Sequence, residues 1–349
     1  MTENKKDKEL NQLFDSTSSN DSFTKIIGRA RRKTLLRTAA ISSIVLVLFI
    51  IISGISWLSL MRWQEGKAMR DIEMFSQITD PNVEEMGMQH EGNGLFEGII
   101  RFERYKVIEG IPVDWSEDVM SYSLFGGVSR FAGDHSPIQV EKDGQLKAYD
   151  RDTKQRMLNF YHPEVEYSNL ADGLSELELY PEQTVAEVAL SFDKGYAPSE
   201  VNESMPDGVT LKWYWVDTYS SEDLNWLNHH PSIVEEENSV SQPELGDQVY
   251  GFENIELKLE EEEVEESQIK NEELFIEKIQ MGLGFESGKY YGEYKRIHDL
   301  LKGEAPHLTA DHVQIIGAVV TGDIKSLQSL QDLEFVRTSA LGVTVDPYQ

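Results

Sequence analysis

Cysteine is absent from all 349 residues of this chain. Its absence excludes disulfide bonds, thiolate nucleophiles and every zinc site that uses a cysteine ligand. The fold must therefore be held by apolar burial, and 40% of the residues are hydrophobic. Over so long a chain, that fraction is enough for one or two hydrophobic cores.

Charge is absent from one long run, Thr38–Met61, which holds 24 residues. A helix of about 20 apolar residues crosses a bilayer core of roughly 30 Å, so this run predicts a transmembrane helix. A cleaved signal peptide would have a shorter apolar region, of about 7–15 residues, followed by a small-x-small cleavage site. Neither feature is present, and the prediction is an uncleaved single-pass anchor.

Acidic residues are absent between Thr24 and Arg37, where six basic residues lie. On the other side of the span, residues 62–73 mix three basic with three acidic residues. Because positively charged flanks stay in the cytoplasm, we expect residues 1–37 inside the cell and residues 62–349 outside the cell membrane.

The net charge of −30 is unevenly divided, since residues 1–61 carry +4 and the remainder carries −34. Such an acidic region repels nucleic acids and anionic surfaces, which excludes non-specific binding to either. Outside a cell, such a region could attract cations or a basic partner. The simpler interpretation is an acidic surface that keeps an exported domain soluble.

The first 37 residues are too few to form a core, yet they carry two short apolar faces at helical spacing. The faces consist of Leu10, Leu13 and Phe14, and of Phe23, Ile26 and Ile27. Between them, Asp15–Asp21 predicts a loop, with Asp21 or Ser22 as the N-cap of the second helix.

Two interpretations of these faces remain open. An amphipathic segment that folds as it docks into a partner protein would bury them in a groove. Alternatively, the segment lies on the inner leaflet as an interfacial helix, with its basic residues over anionic lipid.

Beyond the span, the residues predict an α+β fold. A helical stalk is expected over residues 62–80, ended by Pro81, then a β-rich region over 81–176 and an α+β region over 177–349. In the β-rich region, Gly94–Ile108 predicts a strand, and Asp143-Gly144 predicts a hairpin turn within a meander over Ile138–Tyr161.

Strand–helix–strand patterns occur twice in the last region, which predicts two split β-α-β halves. Between the patterns, Glu222–Val249 predicts an irregular loop, and Tyr290–Leu301 predicts a helix. The two patterns are Thr184–Phe192, Ala197–Ser204 and Val209–Tyr219, then Val313–Thr321, Asp323–Leu330 and Glu334–Val345.

Catalytic motifs are also lacking: there is no His-Glu-x-x-His, no Gly-x-Ser-x-Gly and no phosphate-binding loop. His307 and His312 are five apart across a predicted loop–strand joint, a spacing that a pair of metal ligands rarely uses. The aromatic run Lys212–Tyr219 is typical of a central strand, with a carbohydrate groove as the alternative. We therefore expect neither an enzyme, nor a cofactor, nor a metal site.

Several segments resemble the sigma-factor-regulator family, the membrane-anchored anti-sigma factors of Gram-positive bacteria. Ala30–Ser43 is similar to its N-terminal region, and Thr184–Lys194, Trp213–Tyr219 and Thr338–Tyr348 are similar to its C-terminal region. The resemblance covers most of residues 23–349. It implies a sigma factor of the extracytoplasmic-function class as the partner, sequestered at the membrane.

Many anti-sigma factors have a larger cytoplasmic helical domain, often with a His-Cys-Cys zinc site, and this chain has neither. The docking residues therefore come from the amphipathic pattern alone. The outer region is expected to couple an envelope signal to release, with the lipid bilayer and a second membrane protein as further partners. The alternative is an anchored extracytoplasmic ligand-binding or accessory module without a sigma factor partner.

Overall fold

In a computed structural model of the chain, the described residues are 17–132, 137–142, 145–229, 241–255 and 270–347. The chain divides into an N-terminal unit, residues 1–62, and a C-terminal unit, residues 63–349. It combines one long apolar helix near the N-terminus with antiparallel sheets and shorter helices.

Helix α1 (Thr17–Ser76) contains the whole uncharged run. The loop predicted over Asp15–Asp21 is wrong from Thr17 onward, because the chain is already helical there. An existing helix adds a turn without a new nucleus, and polar residues such as Ser and Asn lower its stability by at most about 0.7 kcal/mol each. At the other end, α1 continues to Ser76, as the absence of proline before Pro81 predicts.

Four antiparallel strands follow in the order β1-β2-β3-β4: β1 (Glu84–Asn93), β2 (Glu97–Ile108), β3 (Ile111–Ser123) and β4 (Val128–Ala132). The strand predicted over Gly94–Ile108 is thus confirmed from Glu97 onward. Every second residue of β2 is buried, as expected of a strand with one face on a core. Glu109 and Gly110 join β2 to β3 with φ of 47° and 81°, the left-handed conformation that a tight hairpin turn requires.

A separate hairpin consists of β5 (Ile138–Lys142) and β6 (Gln145–Tyr149). Lys142 pairs with Gln145, which confirms the predicted hairpin, although Asp143 and Gly144 lie outside the described residues. The next strand, β7 (Asn159–Phe160), pairs with β10 (Glu244–Leu245) instead of extending a meander. A one-turn helix, α2 (Gly173–Glu176), follows β7 in the chain.

A five-stranded sheet forms the centre of the C-terminal unit, with the order β11-β9-β12-β8-β13 and only antiparallel neighbours. Helix α3 (Pro198–Glu203) connects β8 to β9, and all the strands coincide with predicted ones except the short β11. The five strands are β8 (Val185–Tyr196), β9 (Val209–Val216), β11 (Gly251–Glu253), β12 (Ile315–Asp323) and β13 (Val336–Val345).

The prediction of an irregular loop over Glu222–Val249 is wrong at its start, where helix α4 (Ser221–His229) lies. The reason is a capping pair: the Ser220 backbone N–H donates to Asp223 Oδ2 at 2.8 Å, and the Asp223 N–H donates to Ser220 Oγ at 3.2 Å. Each side chain satisfies a backbone group that a helix start would otherwise leave without a partner. Residues 230–240 lie outside the described residues.

Both faces of the five-stranded sheet are covered by apolar residues. On one face, Leu190 and Tyr214 pack with Phe275 of helix α5 (Asn271–Leu283) and with helix α6 (Tyr291–Lys302). On the other, Phe160 packs against Trp213 and Trp215, which are only 1% and 0% exposed. The aromatic run is therefore a central strand, and the carbohydrate-groove interpretation is wrong.

Helix α7 (Ile324–Gln328) connects β12 to β13, and Asp323 is its N-cap, as the sequence predicts. The Asp323 side chain accepts the Ser326 backbone N–H at 2.7 Å, which caps the helix. Both connecting helices of the sheet are short, so the strand pairings determine most of its architecture.

Candidate functional site

Of the predicted docking residues, Phe23, Ile26 and Ile27 lie in the first turns of α1. Ile26 and Ile27 are 61% and 55% exposed on the helix. Leu10, Leu13 and Phe14 lie outside the described residues. Phe23 belongs to α1, but its side chain is likewise outside the described part. Of the two predicted faces, the structure thus describes one exposed pair of isoleucines.

The uncharged run of α1 is exposed as well. Apart from Trp57, the large apolar side chains from Ile41 to Leu58 are half or more exposed, among them Phe49 at 67%. Among the described residues, α1 is the one helix long and apolar enough to cross a membrane. Because so many exposed apolar side chains are unfavourable in water, the helix indicates single-pass membrane anchoring.

The last turns of α1, which belong to the C-terminal unit, are packed into that unit. Ala68 and Ile72 are 1% and 3% exposed, and Asp71 is buried beside them. The Asp71 carboxylate accepts Arg70 Nη2 and the Lys289 backbone N–H, both at 2.8 Å. Two donors satisfy the buried carboxylate, so the helix is attached in a specific position. The segment for which the sequence predicts a helical stalk is thus helical, with one side buried.

Contacts between aromatic rings hold the end of α1 against the C-terminal unit. The Phe75 ring stacks on Tyr290 and meets the rings of Tyr294 and Tyr250 edge-on, with centroids 5.8 and 6.1 Å away. Edge-to-face contacts of this kind are favourable beyond simple area burial. The end of the apolar helix is thereby joined to the start of α6.

A buried ion pair joins the two sheets of the C-terminal unit. Lys106 of β2 lies 3.0 and 2.9 Å from the two carboxylate oxygens of Glu187 in β8, and the residues are 1% and 0% exposed. Asn82 Nδ2 donates to Glu187 at 2.7 Å, and the Lys106 ammonium lies 4.3 Å from the centre of the Trp115 ring. Each buried charge thus has its counter-charge and a further polar or aromatic partner, as a stable buried ion pair requires.

A second polar contact reinforces this junction, since Thr321 of β12 donates to the Glu109 carboxylate, in the turn after β2, at 2.6 Å. Within the first sheet, Arg104 Nε of β2 donates to the Ser116 carbonyl of β3 at 2.7 Å. A cleft opens beside the ion pair, with walls that mix charged and apolar side chains: Arg104, Lys106, Trp115, Asp150 and Met157. Such a mixture suits a small polar ligand with an apolar part.

A second polar cluster contains His162 and Glu244. His162 is fully buried, and its Nε2 lies 3.6 Å from Asp217 Oδ1. Burial raises the pKa of Glu244 to about 7, while the Tyr219 hydroxyl, which donates to this carboxylate, acts in the opposite direction. The same burial raises the pKa of Tyr219 well above its ordinary value. Glu244 therefore exchanges a proton near neutral pH.

Family models match both parts of the chain. Residues 24–113 match the sigma factor regulator N-terminal model, and residues 177–343 match the sigma factor regulator C-terminal model. The chain belongs to the sigma-factor-regulator family. The two matches together cover roughly three quarters of the chain, in the order the sequence resemblance indicates. Membership supports an anti-sigma factor role with a sigma factor as the partner.

No curated protein and no solved structure matches the chain. The contacts described above nevertheless connect the two family regions. Asp71 and Lys106 lie in the N-terminal match, while Lys289 and Glu187 lie in the C-terminal match. The regions of this regulator are therefore joined through buried polar contacts.

Sequence reasoning missed these contacts, although one signal for them is present. Arg104 and Lys106 share the inward positions of β2 with apolar residues such as Phe102. Glu187 lies within an apolar strand. A charge on the buried face of a strand requires a partner of opposite sign. The contact between Asp71 and the Lys289 backbone has no comparable signal, because any N–H can serve as the donor.

Proposed function

We propose that this regulator is a single-pass anti-sigma factor that sequesters an extracytoplasmic-function sigma factor at the cell membrane. The observation that carries the proposal is the arrangement of α1. It begins in a basic segment with exposed Ile26 and Ile27, continues through the uncharged run, and ends packed inside the acidic C-terminal unit. The match of both family regions around this helix supports it.

The orientation follows from charge. The six basic residues before the span support a cytoplasmic location of the N-terminal segment, where a sigma factor is found. The C-terminal unit then lies outside. It has the acidic surface and the cysteine-free core that the sequence assigns to the exported region.

Sequestration requires an apolar docking face, for which the proposed residues are Leu10, Leu13, Phe14, Phe23, Ile26 and Ile27. Few residues dominate the energy of such an interface. Burying one aliphatic side chain is worth about 1.5–3 kcal/mol, so a few anchors supply much of the roughly 12 kcal/mol of a nanomolar complex.

The outer unit is proposed to couple an envelope signal to release. A rearrangement of the C-terminal unit would be transmitted to α1 through the contacts that Asp71 and Phe75 make with that unit. A second membrane protein is a candidate source of the signal. We also interpret the strand order of the central sheet as two split β-α-β halves, in which α3 and α7 are the connections.

The stretch Ser123–Gln139 and the order of the parts resemble the anti-sigma factor of sigma-M. A sigma-M-type factor is therefore the first partner to test. The second candidate function, an anchored ligand-binding or accessory module, is favoured by the cleft beside Lys106 and Trp115. In that case the N-terminal segment is only an anchor.

The decisive experiment substitutes the docking face. Ile26→Asp with Ile27→Asp should weaken sigma factor binding at least a hundredfold, since two buried aliphatic contacts are lost. The membrane protein should remain at normal abundance, and promoters of the sigma factor should become constitutively active. Co-purification and a promoter reporter measure both effects.

Gly28→Asp is the matched control. Successive residues of a helix are about 100° apart, so Gly28 faces away from the docking face by roughly 150°. A side chain at Gly28 meets no atom within 4 Å, and this variant should bind normally. Silent promoters in the double variant, with normal insertion, would favour the accessory-module function.

A further inference from the structure

Two turns at one end of the first sheet expose large apolar side chains. Leu95 and Phe96, between β1 and β2, are 74% and 54% exposed, and Phe125, between β3 and β4, is 84% exposed. We call these three residues the tip patch. The rings of Phe96 and Phe125 lie 6.2 Å apart at an interplanar angle of 20°, so the two turns form one surface.

The tip patch lies beside the first residues after the apolar run. Gln64 Nε2 donates to the Leu124 carbonyl at 3.2 Å, and the Leu124 N–H donates to the Phe96 carbonyl at 2.7 Å. Gln64 is three residues beyond Met61, and three residues of chain extend at most about 11 Å. Whatever direction the chain takes, the tip patch is anchored within a short distance of the end of the span.

That distance is comparable to the headgroup layer. A bilayer has a hydrocarbon core of about 30 Å and a total thickness of about 40–45 Å, so each headgroup layer is roughly 5–8 Å deep. The turn that carries Phe125 is therefore held at or beside the lipid headgroups.

The distribution of charge around the tip patch favours lipid as its binding partner. Residues 62–349 carry −34, yet residues 94–96 and 124–127, which form the two turns between the strands, contain no charged residue. An anionic bilayer repels the acidic surface but not these turns. Aromatic side chains are favoured at the boundary between hydrocarbon and water. Trp63, 58% exposed and one residue before Gln64, is a further exposed aromatic residue close in sequence to the span.

We propose that the tip patch inserts into the interface of the bilayer that α1 crosses, as a second attachment of the C-terminal unit to the membrane. The proposal rests on the membrane span and is independent of the sigma factor. It makes the position of the C-terminal unit sensitive to the packing of lipids around the span.

The experiment uses the full chain in nanodiscs of phosphatidylglycerol and phosphatidylethanolamine. Because the chain has no cysteine, Leu95→Cys gives a single labelling site for an environment-sensitive fluorophore and leaves both phenylalanines in place. Leu179→Cys is the control, since Leu179 is 82% exposed and lies in the turn that follows α2, outside the tip patch. Spin-labelled lipids should quench the probe at position 95 several-fold more than the probe at position 179.

Adding Phe96→Ser and Phe125→Ser to the Leu95→Cys chain should abolish the difference, while the thermal unfolding midpoint stays unchanged. Should this triple variant fail to fold, the Leu95→Cys chain still decides the matter on its own. Equal quenching at positions 95 and 179 would overturn the proposal. So would efficient cross-linking between two copies through position 95 without lipid quenching, which would assign the patch to a dimer.

Discussion

The ring of Phe75 lies parallel to the ring of Tyr290, with centroids 3.8 Å apart and an interplanar angle of 1°. Phe75 is the penultimate residue of α1, and Tyr290 immediately precedes α6. This stack connects the end of the apolar helix to the helices that cover the central sheet.

Phe75→Ala should lower the free energy of unfolding of the C-terminal unit by about 2–4 kcal/mol, because a packed aromatic ring is removed and a cavity is left. Urea denaturation of residues 63–349, followed by tryptophan fluorescence, measures the change. Met281→Ala, at a side chain 51% exposed, should change stability by less than about 0.5 kcal/mol. Equal effects of the two substitutions would mean that the stack does not contribute to stability.

The boundary of the C-terminal unit gives a second prediction. Residues 63–349 should form a soluble domain that unfolds cooperatively, whereas residues 80–349 should be markedly less stable. The shorter fragment lacks Ile72, Phe75 and Ile78, of which Ile72 and Ile78 are 3% and 0% exposed. Losing two buried aliphatic residues costs several kcal/mol, at about 1.5–3 kcal/mol each. Calorimetry of both fragments tests this, and identical melting would show that the helix end is dispensable.

The third prediction concerns Lys106 and Glu187. Glu187→Gln should destabilise the C-terminal unit by about 3–5 kcal/mol, because the Lys106 ammonium remains buried without its counter-charge. Lys106→Met should also destabilise it, since the carboxylate then keeps only Asn82 as a partner. The double variant should recover much of the loss, since no uncompensated charge remains. A double-mutant cycle by urea denaturation reports the coupling, and additive losses would contradict it.

Glu244 provides a prediction about pH. Burial raises the folded-state pKa of its carboxyl to about 7, above the ordinary value of 4.5. The unfolded chain therefore loses this proton first, and the contribution to stability declines as the pH rises from about 4.5 to about 7. Above that range the contribution no longer changes.

Glu244→Gln should remove this decline, because the amide carbonyl still accepts the Tyr219 hydroxyl and carries no charge. Denaturation at pH 5 and pH 8 should show a difference smaller by about 1–3 kcal/mol in the variant, allowing for the partial exposure of the side chain. Glu182→Gln, at an exposed carboxylate, should leave the wild-type pH dependence intact. The same pH dependence in both variants would assign it to other groups.

The sequence allows much of the C-terminal unit to be predicted where local patterns are strong. Thr184–Phe192 and Val313–Thr321 are long apolar runs, and the corresponding strands β8 and β12 occupy the middle of the sheet. Helix α4 was missed because its signal is a capping pair among polar residues, whose own helix propensity is low. The pairing of β7 with β10 joins residues some 85 positions apart, and no local pattern specifies it.

In the candidate site, too, some features can be predicted from local sequence patterns and others cannot. Exposure of Ile26 and Ile27 follows from their place in a segment too short to have a core. The pairing of Lys106 with Glu187 can be predicted from the sequence, because both charges lie on inward strand positions. The packing of Asp71 and Phe75 cannot be predicted in this way, since it depends on how the helix end contacts residues more than 200 positions away.

Burial of the end of α1 also determines where a protease can cut this chain. Proteases bind peptide backbone in an extended form, so a docked helix must first open locally before it is cleaved. Between Ala68 and Ile78, such opening would expose Ile72 and break the contacts of Asp71 and Phe75. On the C-terminal side of the span, the weakly packed part of α1 is thus confined to the few residues between Met61 and Ala68. Cleavage further along requires the C-terminal unit to release the helix first, which makes the stability of that unit a control on the lifetime of the intact regulator.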